Sequence, residues 1–541
     1  MFNIFILSIF SIFIISPFGY LFIKKHSFIN FAIQLIYGVI IVSFVALFLN
    51  FFFPLNLLIN TLILIIPIYL IFKNYSYFMS KKFLLFVVFN GVIIFFLITN
   101  STVYRPDAYL YHLPYIDTLN NEKIIFGLAN LHFRFGHISI IQYFSAALNN
   151  YVLLDKGIII ANAIIPSAAI IYFVSTIYRD YKQENISLRF FYNFFIFIFI
   201  IYKMNRYGEY GNDAVSHFLF FIVISEALKF FEKKNVIFER LILISVFVIL
   251  CKITMAFSIF IPLIFIKELK IRNILNYKVL LSFFLIFFWI IKNLIVSGCI
   301  IYPVSTLCFK SFEWVNIEQA KKVSIENEAW TKGWPDYKGE KSISQNDYLE
   351  NFKWIKTWSN NHLKKVVEIL VPYQLFIILI SCLIFFMNKN MNMNNQLSQR
   401  RRLYLMLFML LIFNIIWFMK VPVFRYGYSY IVSFIALFFS YLICRKINKT
   451  TDTTKKMFKF LFIFFISIFL TKNSLKFNYD DQVWPKMIIQ KSESLQTIKL
   501  GDFNYKESHA ECGFGHSICT HYKDLNLSSR KYKNYKVILK N

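Results

Sequence analysis

Asp107, Asp213, Lys252, Lys292 and Arg425 are charged side chains standing at or near the ends of long apolar runs. Cations within or beside membrane spans are costly and default to function, and phosphate is the natural partner of Lys and Arg. A carboxylate at a membrane mouth is partly buried, which raises its pKa toward the range of a general base. The first carboxylate lies in "YRPDAYLYHLPYIDTLNNEKIIFGLANLHFRFG", with Tyr111, His112, His132 and Arg134. Tyr111 and Tyr115 follow Asp107 at i+4 and i+8, and Leu110, Leu113 and Leu119 add apolar contact. This spacing predicts a short amphipathic helix lying on the membrane, with Asp117 a solvated surface charge. Taken alone, Asp107 after Pro106 suits a helix cap better than a base. Asp213 in "NRYGEYGNDAVSHF" also suits a cap; it could instead face Asp107 as a second carboxylate or bind a metal. Each cation could equally snorkel to lipid headgroups.

The elements that must hold these residues are membrane helices. The chain is 58% hydrophobic and only 16% charged, and its apolar runs of about 17–25 residues are long enough to cross ~30 Å of hydrocarbon. The fold class expected is an all-α polytopic membrane protein with 12–14 transmembrane helices. Fourteen candidate spans lie near 2–22, 29–50, 56–72, 83–99, 157–177, 190–203, 214–230, 237–251, 253–267, 279–297, 367–387, 403–419, 429–444 and 457–471. A tight turn at Lys252-Ile253-Thr254 separates the eighth from the ninth. Met1–Phe22 lacks a basic start and a small-residue cleavage site, so it is read as a helix rather than a signal peptide. The net charge of +29 has no soluble basic domain to carry it, so nucleic acid is not an expected partner.

Charge placement sets the orientation. One alternating set of loops carries Lys24/Lys25, Lys73/Lys81/Lys82, Arg179/Lys182/Arg189, Lys229/Lys233/Lys234/Arg240, Lys267/Lys270/Arg272/Lys278, Lys389/Arg400/Arg401/Arg402 and Arg445/Lys446/Lys449/Lys455/Lys456. The opposite short loops carry only Lys203, Arg206, Lys252, Lys420 and Arg425. The positive-inside rule makes the first set cytoplasmic. Both termini and the polar segments 100–156, 298–366 and 472–541 then face outward, as expected for a bacterial inner (plasma) membrane protein that works at its outer surface. Segment 298–366 holds Trp314, Trp330, Trp334, Trp354 and Trp358, most of whose rings suit interfacial anchoring and packing better than sugar stacking. Cys512 and Cys519 in the polar tail look like a pair; a disulfide and two free thiols fit the spacing equally. Walker, HExxH, GxSxG and dinucleotide fingerprints are absent, so nothing supports a nucleotide-driven or hydrolase mechanism.

The ordered series "PDAYLYHLPYI", "GLANLHFRFG", "YGND", "CKIT", "KNLIVSGCIIYPV" and "VPVFRYGY" resembles the GT-C superfamily of integral-membrane glycosyltransferases. It is most similar to an uncharacterised bacterial branch with a YHLP…GLANLH first outer loop. The resemblance covers roughly 83–445. It implies N-terminal extra helices over 1–82, a last helix within 446–471 and an outer tail over 472–541. It also implies transfer of sugar from a polyprenyl-phosphate-linked donor to a glycan, lipid or protein acceptor on the non-cytoplasmic face, usually with inversion. Asp107 then stands for the catalytic carboxylate, and Asp213 for a second acidic residue. Lys292 and Arg425 would hold the donor phosphate, with Lys252 beside them, while Tyr111, His112, His132 and Arg134 would line the pocket. The family often places an acidic residue next to the first; here Ala108 follows Asp107, so no metal or other cofactor is expected. An O-antigen-type polymerase or ligase, and a lipid-linked sugar flippase or transporter, are the alternatives.

Overall fold

The computed structural model describes residues 2–99, 106–184, 186–203, 211–232, 238–268, 276–339, 343–387, 400–446, 451–475, 495–501, 503–508, 511–515, 517–523 and 525–540. Arg105, Arg206, Gly208, Lys233, Lys234, Lys270, Arg272, Lys389 and Lys449 lie outside the described residues. Ten helices among the described residues are long and apolar enough to cross a membrane. Four other expected spans are helical but shorter: Leu57–Lys73, Leu188–Lys203, Phe238–Cys251 and Ile253–Leu263. At 1.5 Å per residue, the described parts of Leu188–Lys203 and Phe238–Cys251, 16 and 14 residues, reach about 24 and 21 Å. The chain is therefore a polytopic, mostly helical membrane protein.

Helix Lys156–Lys182 is the hub, buried along nearly its whole length. Helices Phe2–Tyr20, Phe28–Asn50, Lys81–Thr99, Ile140–Leu148, Leu188–Lys203 and Asp213–Ala227 pack around it. Small buried residues, Gly157, Ala161, Ala163, Ser167, Ala168 and Ala169, let those neighbours approach, as membrane helix contacts favour. The first two helices meet backbone to backbone. A Cβ on Gly19 would sit 1.8 Å from the Gln34 carbonyl oxygen, so no larger residue fits there. Gln34 Nε2 donates to the Ser16 carbonyl at 3.0 Å, and Tyr77 Oη donates to Gln34 Oε1 at 2.7 Å. These helices share one hydrophobic core with the rest of the bundle. Phe72, Phe283, Phe386 and Phe460 are exposed on its outside, a surface that water would disfavour and lipid tails accept.

The C-terminal segment, expected as a small polar tail, carries strands beside the helical bundle. It forms strands β1 (Leu495–Leu500), β2 (Phe503–Ser508), β3 (Cys519–Thr520), β4 (Leu527–Tyr532) and β5 (Tyr535–Lys540). β1 and β2 are antiparallel with Leu495 opposite Ser508, β3 runs parallel to β2, and β4–β5 is an antiparallel hairpin. The segment docks on the loop that follows helix Lys81–Thr99. The Ile538 N–H donates to the Phe126 carbonyl at 2.9 Å, and the Phe126 N–H to the Lys536 carbonyl at 3.0 Å. Asn130 Nδ2 reaches the Ile538 carbonyl at 3.1 Å, and Lys536 pairs with Glu122 at 2.6 Å. Gly127 permits this approach: it holds φ +68°, and a Cβ there would lie 2.1 Å from the Ile538 oxygen. Two disulfides lie in the polar segments, Cys512–Cys519 and Cys299–Cys308. The second was not expected, although its cysteines bracket a short turn just after a helix.

Docking also overturns the picture of a helix lying on the membrane. Leu113–Asn120 is buried within the protein. The Leu55 N–H donates to the Leu119 carbonyl at 2.8 Å, and Asn120 Nδ2 donates to the Leu55 and Ala146 carbonyls. Asp117 is accordingly buried at 2% exposure and accepts a hydrogen bond from Asn121, rather than being a solvated surface charge. Polar ties on both sides, invisible to helical periodicity, draw this segment inward. The tryptophans mostly pack: Trp354 and Trp358 are buried, and Trp358 Nε1 donates to the Pro422 carbonyl at 2.7 Å.

Candidate functional site

Four chain segments bring their charges to the end of the bundle that carries the strands. The first is a π turn, Ala108–His112, leading into helix Leu113–Asn121 with Pro114 near its start. Asp107 precedes the turn, and its carboxylate makes no capping hydrogen bond. The cap role that its position suggested is thus unused. Asp213 opens helix Asp213–Ala227, where Asn212 occupies the cap position; a carboxylate in the first turn is favoured by the helix dipole. Lys252 is an extended residue between helix Phe238–Cys251 and the turn Ile253–Ile259. Arg425 lies in the first turn of helix Phe424–Lys446, just after the Pro422 carbonyl held by Trp358.

The Arg425 guanidinium joins the two carboxylates. Its Nη2 lies 3.7 Å from Asp107 Oδ2, and its Nε lies 3.9 Å from Asp213 Oδ2. Asp213 also forms a close ion pair with Lys252. Tyr426 backs the cations: Lys252 Nζ stands 4.0 Å from its ring centre, and Arg425 Nη2 donates to its hydroxyl at 3.2 Å. Arg134 packs 4.9 Å from the Tyr111 ring. The contacts of Arg425 to the carboxylates are long for ion pairs, and the Asp107 and Arg425 side chains remain 39% and 47% exposed. Such a cation is held in place with part of its surface open to solvent.

Two histidines are fixed by their partners. The Gln142 side-chain oxygen accepts from the Ser139 N–H at 3.0 Å, so its amide nitrogen faces His112 Nδ1 at 2.8 Å as a donor. His112 Nδ1 is therefore the acceptor, and the ring proton sits on Nε2. Burial pushes the His112 pKa down to about 4, against the opposing pull of Asp107 and Asp213. His217, which sequence reasoning did not single out, touches the Arg425 carbonyl through Nε2 at 2.9 Å and Ser429 Oγ through Nδ1 at 2.7 Å. It braces the turn that presents Arg425. The signal was its i+4 spacing from Asp213, which puts both on one helix face. Tyr426 was missed in the same way, inside a motif read only for its arginine.

The remaining candidates lie further out. His132 is buried; its Nδ1 accepts the Arg134 N–H at 3.1 Å, and its ring meets His521 and Tyr522 of the strand segment at 4.8 and 5.0 Å. Burial holds its pKa well below the ordinary histidine range. Lys292 stands apart from the Arg425 cluster. Fully buried, it places Nζ 3.6 Å from the Trp289 ring centre and 3.5 Å from the Ile138 carbonyl. Among the described residues, no three His, Cys, Asp or Glu side chains converge as a metal site.

No curated protein and no solved structure matches the chain. One family does, over residues 1–432, a stretch that contains Asp107, Asp213, Lys252 and Arg425 and stops short of the strands. The chain belongs to that family, DUF8201, a domain of unknown function.

Proposed function

We propose that this protein is a membrane glycosyltransferase of GT-C type. It moves a sugar from a polyprenyl-phosphate-linked donor to a glycan, lipid or protein acceptor at the non-cytoplasmic membrane face. The observation that carries the reading is the Arg425 guanidinium poised between Asp107 and Asp213. Asp107 takes the proton of the acceptor hydroxyl as its oxygen attacks the sugar's anomeric carbon. The bond from that carbon to the phosphate oxygen breaks, with inversion. Arg425, Lys252 and Arg134 stabilise the charge left on the departing phosphate. Asp213 holds Lys252 and Arg425 in register for that task.

The outward placement is supported by the basic loops at the opposite end and by the two disulfides at this one, since disulfides persist in oxidising compartments. The ordered sequence resemblance supports the donor class. The test is a deletion strain complemented with wild-type or Asp107→Asn protein, with cell-surface glycan read by mass spectrometry. Loss of one sugar with the variant, at equal membrane levels, is the expected result. Normal glycan would overturn the catalytic assignment, and loss of whole chains would favour a polymerase.

A further inference from the structure

The described residues of the loop between Cys512 and Cys519 touch the Asp107 segment at two points. In the π turn, the Leu113 N–H closes on the Ala108 carbonyl. The next bond of that ladder would come from residue 114, and Pro114 has no N–H. The Gly513 N–H takes the Tyr109 carbonyl at 3.0 Å. Gly513 holds φ +67°, a conformation open to glycine. At the second point, Thr118 Oγ1 donates to the Pro114 carbonyl at 2.8 Å and accepts the Ile518 N–H at 3.3 Å. The disulfide ties the two ends of the loop together, and the Lys506 N–H anchors it to β2 through the Ile518 carbonyl at 2.9 Å. Thr520 Oγ1 extends the grip to the Leu131 carbonyl at 3.0 Å.

We propose that this disulfide-closed loop is a positioning device for Asp107. By completing a helical turn that Pro114 interrupts, it fixes the direction in which the carboxylate leaves the chain toward Arg425. Single π turns of this kind are frequent at functional sites. The loop lies beyond the residues that match the family, so the device is supplied from outside the region carrying the charged cluster. Its catalytic meaning rests on the reading of Asp107 as the acceptor-activating base; its structural meaning does not.

Amide hydrogen exchange on the full-length protein in lipid nanodiscs separates the two. In the double variant Cys512→Ser/Cys519→Ser, amides of 108–113 exchange at least about fivefold faster than in wild type, as loss of a net hydrogen bond implies. Amides of 156–182 keep their protection. Thr118→Val gives a smaller acceleration in the same window, and Cys299→Ser/Cys308→Ser gives none there. Unchanged exchange over 108–113 in both the cysteine double variant and Thr118→Val overturns the proposal. Faster exchange with a normal surface glycan leaves the clamp standing and removes the catalytic reading instead.

Discussion

Helix Asp213–Ala227 carries a carboxylate in its first turn and another in its last, and the two sit in opposite circumstances. Glu226 is enclosed. Tyr172 donates to it at 2.6 Å, Lys229 and Arg240 pair with it at 2.6 and 2.8 Å, and Arg189 lies at 3.7 Å. Arg189 is itself fully buried and reaches Asp180 at 4.0 Å, Glu232 at 3.7 Å and the Ser225 carbonyl at 2.9 Å. Asp213, roughly 20 Å away by helical rise, keeps 30% of its side chain exposed and meets a guanidinium that is itself half open. Both ends use Arg, Lys and carboxylates. The Glu226 end closes them into a strut, whose loss would strand charge in the interior. The Asp213 end leaves Arg425 at long range with solvent beside it, which is what binding an outside anion requires. The same distinction corrects the sequence reading, in which Arg189 and Arg240 counted as loop cations; the structure buries both.

Breaking each end should therefore fail differently. Asp107→Asn is expected to lower transfer by about 10²–10⁴-fold while the thermal unfolding midpoint in detergent stays within about a degree or two of wild type, as for a partly exposed site. A large drop in stability instead would make the two ends alike. Arg189→Met is expected to destabilise by about 3–5 kcal/mol, the cost of leaving buried carboxylates without their partner. Thermal unfolding checks the loss, and activity per folded molecule should be retained. Arg425→Lys keeps the charge but loses the fork that spans both carboxylates. It should weaken stabilisation of the leaving phosphate by about 1.5–3 kcal/mol, read as a lower kcat/KM for a lipid-phosphate sugar in which kcat itself falls.

The smallest effect concerns pH. His112 titrates near 4 in the folded protein against an ordinary 6.5, so the unfolded chain binds the extra proton first. Stability from this group is complete above pH 6.5 and is lost progressively as pH falls toward 4. His132 and His137, also held low by burial, act in the same sense. Unfolding midpoints measured from pH 7 to pH 4 should fall for wild type and fall less for His112→Gln. An unchanged slope would show that burial does not hold the ring neutral.

Much of the membrane architecture was legible because apolar length and charge placement are local properties of the chain. The helix ends holding Asp107, Asp213, Lys252 and Arg425 were readable for the same reason. What escaped depends on partners far along the chain. Asn130 bonds to Ile538, and His217 to Ser429 and Arg425; no periodicity encodes such meetings. Lys292 shared its type and its helix-end position with Lys252, yet the fold turned it toward Trp289. Asp117 looked solvated because the residues that meet its helix, Leu55 and Ile518, lie far from it along the chain.

The docked strands have a consequence for biogenesis. They follow every described membrane helix in sequence, so they emerge from the ribosome after all of them. Until they are made, the Phe126 N–H and carbonyl lack their Lys536 and Ile538 partners. A half-made chain can thus be inserted yet remain unfinished there. Docking of this segment is thus a late step of folding, set by its place in the chain.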